Sequence, residues 1–280
     1  MPITLLSDIK LSGQSCIDFF DEADEHIVGA YVFPCKDLKV NQPLFSDGFP
    51  SIIFMPDKTD EVCLSKGDKT IMLKSVWVCG GVIKDTKWNI PDGLENVLVL
   101  RFTPGSFYSI FDISPARFVS VPVCSFEDLV DEKWQRVIDE MYGENNWFER
   151  ASMIKMALLS SKKKSYLPSL LEAAMAYVDR EKGNTTVSDL LQSIGAKVNR
   201  KWLQRNFIKY IGLSPKKYIS LQRFIYTYGR YDLDKPSDLP GIAVLSGYYD
   251  YNHFLKDFKQ YMGTAPSRYS WTNGHCKAGS

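Results

Sequence analysis

The apolar positions of this chain change their rhythm once, near Phe126. Before it they come in short runs rich in β-branched and aromatic residues: His26 to Phe33, Ser51 to Met55, Thr70 to Ile83 and Asn96 to Phe102. Turn-forming groups lie between them, at Ser46-Asp47-Gly48, Lys66-Gly67-Asp68 and Pro91-Asp92-Gly93. Such runs predict strands, because branched and aromatic side chains pack well on a pleated surface while Gly, Asp and Pro supply the turns. A series of short strands predicts a small β-barrel or jelly-roll-like domain. After Phe126 the period becomes helical: Leu129, Trp134, Val137, Ile138 and Met141 form one stripe, and Met153, Met156, Ala157 and Leu159 another. Two helices here either join two halves of the molecule or pair two chains.

The run Ser160-Ser161-Lys162-Lys163-Lys164-Ser165 has the polar, charged composition of a linker. Beyond it the pattern is almost wholly helical. Leu170, Leu171, Ala174, Met175, Tyr177 and Val178 make one apolar stripe, and Gly183-Asn184 closes that helix. Thr186-Val187-Ser188-Asp189 predicts a capping box for the next helix, which ends at Gly195. The expected fold class is therefore α+β. A β-rich domain covers 1–125, a helical connector and linker cover 126–164, and an all-α domain covers 165–272.

Charge sharpens this division. The whole chain of 280 residues has a net charge of only +1, but the balance is uneven. Residues 1–159 carry 15 Lys/Arg against 24 Asp/Glu, whereas residues 160–280 carry 19 against 9. A basic segment attached to an acidic one points to a polyanion-binding module joined to a domain with another task. With 45% hydrophobic and 24% charged residues, the composition is that of a globular protein long enough for two cores. The N-terminal residues do not read as a signal peptide, and no run approaches the roughly 18 apolar residues of a membrane span. No membrane partner and a cytoplasmic location are the corresponding expectations.

The candidate chemistry is sparse in the first half. Cys16, Cys35, Cys63, Cys79, Cys124 and Cys276 are scattered, without a C-x-x-C pair, and only Cys276 has a histidine beside it, His275. They read as buried or indifferent thiols in a reducing compartment, not as a zinc site or a disulfide framework. His26 is the single histidine before residue 160, too few for the His and carboxylate ligand cluster of a metal-dependent β-barrel enzyme. No catalytic residue, metal or cofactor is expected, and the chain is not read as an enzyme. Trp77, Trp88, Phe102, Phe107 and Tyr108 either line a pocket for a small effector or fill the core, and for a small β domain the core is the favoured reading. Arg101, near Pro104-Gly105, either holds an anionic ligand or caps a turn.

The second half is more informative. Asn199 opens a helix in which Leu203, Phe207 and Tyr210/Ile211 share one face while Arg200, Lys201, Gln204, Arg205 and Lys209 lie on the others. Arg can bond guanine O6 and N7 together, Gln can do the same with adenine N6 and N7, and Lys209 suits a phosphate. A basic helix face alone is equally consistent with simple solvation. A second copy decides between them. Ile242-Ala243-Val244-Leu245-Ser246-Gly247-Tyr248 is followed by Asp250 as a cap and by a helix from Tyr251 to Gly263, with Phe254, Phe258 and Tyr261 on its inner stripe. Both helices run into Gly and then Pro, as Gly212-Leu213-Ser214-Pro215 and Gly263-Thr264-Ala265-Pro266, and each is followed by a tyrosine, Tyr218 and Tyr269.

These residues carry a family resemblance. Leu-Gln-Arg-x-Phe followed by Gly-Leu-Ser-Pro-Lys-Lys-Tyr, then Ala-x-x-x-Gly-Tyr-Tyr-Asp-x-x-His-Phe-x-x-x-Phe and Gly-x-x-Pro-Ser-x-Tyr, resemble the AraC/XylS-type DNA-binding domain over roughly Leu170 to Ser270. The resemblance implies two helix-turn-helix units on one joining helix, here Pro215 to Tyr231 with Tyr218, Leu221, Ile225 and Tyr228 inward. The units would enter successive major grooves about 34 Å apart. It implies base reading by Lys201, Gln204 and Arg205 in the first unit and by Tyr251, Asn252, Leu255 and Lys256 in the second. Two features depart from the pattern: a first turn, Gly195-Ala196-Lys197-Val198, about two residues longer than usual, and Pro240-Gly241 where helix formers are usual. The N-terminal half resembles the compact, truncated cupin-like sensor of such regulators, through Gly81-Val82 and Arg101 to Tyr108.

The expected function is that of a bacterial sequence-specific transcription regulator, an activator in the first instance. Its expected partners are double-stranded DNA and RNA polymerase, with a small-molecule effector and a second copy of the chain as further candidates. The alternative is an interaction module that does not bind DNA and regulates by pairing with another protein.

Overall fold

The computed structural model describes residues 27–35, 42–44, 49–80, 83, 85–102, 104–161, 167–195, 198–234 and 238–268. His26, Ser46-Asp47-Gly48, Gly81-Val82, Cys16, Cys276, Ala196-Lys197, Tyr269 and Lys162 to Ser165 of the linker run lie outside the described residues. Two antiparallel sheets are followed by a helical region. The first sheet has the order β1 (Ile27–Pro34), β8 (Asn96–Phe102), β3 (Ser51–Phe54), β6 (Val76–Cys79) and β9 (Val123–Ser125). The second has the order β2 (Gln42–Leu44), β7 (Thr86–Asn89), β4 (Val62–Lys66) and β5 (Lys69–Leu73).

Alternation along the strands explains both layers of packing. Ile53, Trp77, Val97 and Val99 of the first sheet face Val62, Leu64 and Trp88 of the second, and together they form one core. Ile52, Phe54, Val76, Val78, Leu98, Leu100 and Phe102 point to the opposite side of the first sheet and belong to another core. A sheet buried on both faces favours apolar residues at nearly every position, so β3, β6 and β8 stand out as runs in which only Ser51, Asn96 and Arg101 are polar. β4, β5 and β7 carry polar residues on one face, and for that reason β4 and β7 are not among the predicted strands. The predicted run from Thr70 to Ile83 is in fact two strands. It breaks at Lys74-Ser75, where the chain leaves the second sheet for the first and the Lys74 amide donates to the Ser125 hydroxyl at 2.9 Å.

Helices cover the outer side of the first sheet: α1 (Pro104–Ile110), α2 (Arg117–Ser120), α3 (Glu132–Tyr142) and α4 (Trp147–Ser160). The Phe111 ring sits 5.0 Å from Phe126 and 4.9 Å from Trp134, so the expected connector helices share the core of the sheet. Arg150 pins their hairpin to the strands. Its Nη1 donates to the Pro56 carbonyl at 2.6 Å, and its guanidinium lies 5.2 Å from the Tyr142 ring and 4.8 Å from Trp147. The stripe expected on α4 is the wrong one of two. Ala151, Ile154 and Leu158 are buried, whereas Met156 is 67% exposed and Leu159 41%. α4 is apolar nearly all round, so periodicity alone leaves its rotation undetermined.

The five aromatic residues grouped as a pocket or core are core, and they divide between two cores. Trp77 and Trp88 meet edge-on at 5.4 Å between the sheets. Phe102, Phe107 and Tyr108 lie on the helix side. Arg101 is buried as well, with its guanidinium 5.6 Å from the Phe49 ring. Burial pushes the Cys35 thiol up to about 12 and the Cys124 thiol up to about 11, as expected for inert thiols.

The C-terminal helices are α5 (Ser169–Arg180), α6 (Val187–Ile194), α7 (Arg200–Ile211), α8 (Pro215–Asp234), α9 (Leu239–Leu245) and α10 (Tyr251–Met262), with a single 3₁₀ turn at Pro266–Arg268. The predicted capping box at Thr186 and Asp189 is present. One continuous core runs from Leu171 to Met262. Its centre is Phe224 of α8, whose ring lies 4.8 Å from Tyr261, 5.9 Å from Phe258 and 6.3 Å from Phe254. Sequence reading placed Ile225 inward; it is half-buried, and Phe224 takes the central place.

Candidate nucleic-acid interface

Two helices of equal length, α7 and α10, are built to one plan. Asn199 caps α7 by accepting from the Trp202 amide at 2.8 Å, and Asp250 caps α10 by accepting from the His253 amide at 2.7 Å. Each cap satisfies an amide that the helix leaves without a partner. Both helices end on a left-handed glycine, Gly212 at φ 77° and Gly263 at φ 72°. The Gly212 amide returns to the Ile208 carbonyl at 3.2 Å and the Gly263 amide to Lys259 at 3.0 Å. Leu203, Phe207 and Ile211 are buried on α7, as Phe254, Phe258 and Met262 are at the corresponding places on α10. The sequence duplication is thus a duplication of structure.

What remains outside is the candidate reading surface. On α7, Arg200, Lys201, Gln204, Arg205 and Lys209 are all exposed. Spacing of three and four residues puts Lys201, Gln204 and Arg205 on one face, with Arg200 and Lys209 at its edges. The same spacing adds Ile208, 42% exposed, which the sequence reading left out because it looked for polar groups. Lys209 is folded onto its neighbour: its Nζ donates to the Tyr210 hydroxyl at 3.1 Å and lies 4.7 Å from the ring centre. On α10, Asn252 and Lys256 are exposed and Leu255 is half-buried. Tyr251 is also half-buried, with its ring stacked on Phe254 at 6.0 Å. Lys259, at the place matching Ile208, is exposed and completes this face.

One departure from the motif has a structural account. The first turn includes Ala196 and Lys197, which lie outside the described residues. Pro240 lies in the first turn of α9, where no intrahelical donor is lost, and Asp238 caps that helix by accepting from the Gly241 amide at 2.9 Å.

A polar cluster sets α10 against α8. The Ser220 hydroxyl donates to Asp257 Oδ2 at 2.9 Å, and the Tyr248 hydroxyl donates to the same oxygen at 3.1 Å. Burial, then the adjacent Asp257 carboxylate, pushes the Tyr248 hydroxyl far above the usual tyrosine range. Burial likewise pushes Tyr261 up to about 12. Both hydroxyls stay protonated, and that of Tyr248 acts as a fixed donor to Asp257.

The β-rich region touches the C-terminal ends of both helices. Pro115 packs against Gly212, its carbonyl oxygen 3.3 Å from where a Cβ there would stand. The Asp85 amide donates to the Tyr261 carbonyl at 3.4 Å, and the Asp85 carboxylate closes over Gly263. These contacts leave Lys201, Gln204, Arg205, Asn252 and Lys256 exposed.

No protein-family model and no curated protein matches the chain. Solved structures that resemble it include three of ToxT from Vibrio cholerae. An apo variant from strain SCE256 is 16% identical, with 87% of this chain and 96% of that one covered and a TM-score of 0.44. A P21 crystal form is 15% identical, with 85% and 92% covered and a TM-score of 0.44. The wild-type protein bound to unsaturated fatty acid is 16% identical, with 89% and 96% covered and a TM-score of 0.43.

Proposed function

We propose that this chain is a sequence-specific DNA-binding transcription regulator of the AraC/XylS type. The observation that carries the proposal is the pair α7 and α10: one scaffold used twice, each copy capped in the same way, buried at the same three apolar positions and presenting a polar face. Two such helices hung from α8 suit two successive major grooves of one duplex. Lys201, Gln204 and Arg205 read bases in the first groove, with Asn252, Leu255 and Lys256 in the second. Arg200 and Lys209 engage phosphates, and Tyr251 supports its helix from the edge. The basic balance of the C-terminal half supplies the salt-sensitive attraction to any duplex.

In the same reading the acidic N-terminal half senses an effector or pairs two chains, and the regulator works in the cytoplasm as an activator together with RNA polymerase. The non-DNA-binding alternative rested on the long first turn and on Pro240-Gly241. Pro240 sits in a helical first turn, which removes one of those two features as an argument for the alternative.

Selection from a random duplex library with the full chain tests the reading. The expected result is an enriched motif of two elements about one helical turn apart, with affinity falling steeply as salt rises. No enrichment, together with salt-insensitive association, would leave protein pairing as the function.

A further inference from the structure

The two helix-turn-helix units touch each other directly, beside α8. The α5–α6 loop of the first unit carries Gly183-Asn184-Thr185, and the α9–α10 turn of the second carries Gly247-Tyr248. Gly183, at φ 71°, lies so close to α8 that a Cβ would collide with the Arg223 backbone nitrogen. Gly247, at φ 89°, is closed in by the Asn184 side chain. Arg223 reaches into this junction from α8. Its Nε donates to the Gly183 carbonyl at 2.9 Å, its Nη2 donates to the Thr185 carbonyl at 3.1 Å, and its guanidinium carbon lies 5.6 Å from the centre of the Tyr248 ring. Tyr248 is 2% exposed and passes the connection on to Asp257 of α10, which Ser220 ties back to α8.

We propose that Arg223 is a positioning residue that fixes the spacing at which the two recognition helices meet DNA; this rests on the DNA-binding reading above. A single helix joining two units leaves each able to swing about its own end. A second attachment removes that freedom, and the path from the 183–185 loop through Arg223, Tyr248 and Asp257 is such an attachment. Arginine suits the task because its rigid fork donates to two carbonyls at once while its flat face stacks on a ring. A lysine could reach one carbonyl and would lose the stack. Adding one base pair between the two elements shifts the second by roughly 3.4 Å and turns it by about 35°. A rigid pair should reject that change, and a pair freed at the junction should accept it.

The test measures binding of the full chain to duplexes carrying the two selected elements at the preferred spacing and at one or two base pairs more or fewer. Parent protein is expected to lose about tenfold or more in affinity per base pair of change, a loss of the size one mismatch brings. Arg223→Gln is expected to bind the preferred duplex more weakly while varying about threefold or less across the series, and Arg223→Lys is expected to fall between. Arg205→Ala, which changes a reading residue, should lower every spacing in parallel. A Gln or Lys variant with a profile as steep as the parent's overturns the proposal. If Arg223→Gln fails to fold by circular dichroism, Arg223→Lys decides by the same criterion. A parent that prefers no duplex at any spacing removes the DNA reading itself, and that is visible before any variant is compared.

Discussion

The two repeated helices share their inside and differ on their outside. α7 and α10 have matching N-caps, matching left-handed glycines and matching buried positions. Their exposed faces have little in common: Lys201, Gln204, Arg205 and Ile208 on one, Asn252, Leu255, Lys256 and Lys259 on the other. Packing constrains the inner face because a core tolerates neither voids nor unpaired polar groups. The outer face answers only to its partner. A duplicated scaffold can therefore keep its geometry while its two copies come to read different sequences. One inner position shows the limit of the symmetry. Asn206 bonds to the Trp202 carbonyl of its own helix at 2.8 Å, whereas its counterpart Asp257 reaches across to Ser220 and Tyr248.

The comparison can be broken most severely from inside. Phe258→Ala removes a fully buried ring that packs on Phe224, Tyr228 and Phe254, and should cost about 3–5 kcal/mol of stability in chemical denaturation. The asymmetric position should behave asymmetrically. Asp257→Ala leaves the Tyr248 hydroxyl buried without its acceptor, for a loss of about 1–3 kcal/mol, while Asn206→Ala removes only a local bond worth about 1 kcal/mol. Equal losses from the two substitutions would show that Asp257 does not bridge.

Outer-face substitutions should leave unfolding unchanged and act on binding. Arg205→Ala and Lys256→Ala should each weaken binding to a selected site by about 1–3 kcal/mol, and each should relax preference in one element only. Parent-like binding by both variants would mean that the reading faces lie elsewhere. The smallest effect is expected at the edge. Lys209→Ala should weaken binding to all duplexes alike and reduce the slope of log affinity against log salt by about 1. A change confined to one sequence would reassign Lys209 to base reading.

The C-terminal half was legible because its signals are local. Caps lie within three residues of the amides they serve, glycine ends a helix wherever a left-handed residue is needed, and helical spacing separates inner from outer positions. Ile208 and Lys259 were missed because the positions taken from the family pattern stop one helical turn short of them; the same spacing carried one turn further finds both. The N-terminal half was legible only in part. β3, β6 and β8 stood out because both their faces are buried, whereas β4 and β7 are half-exposed.

By itself the sequence determined which segments of the C-terminal half are helical, where α7 and α10 begin and end, and that they form a repeated pair. Those properties depend on neighbours a few residues away. Only the tertiary structure decided which apolar stripe of α4 turns inward, that Trp77 and Phe102 serve different cores, and that Arg223 bonds two carbonyls of one loop, 40 and 38 residues away in the chain. Each of these depends on partners that folding brings together, and a long-range contact leaves no period in the sequence to read.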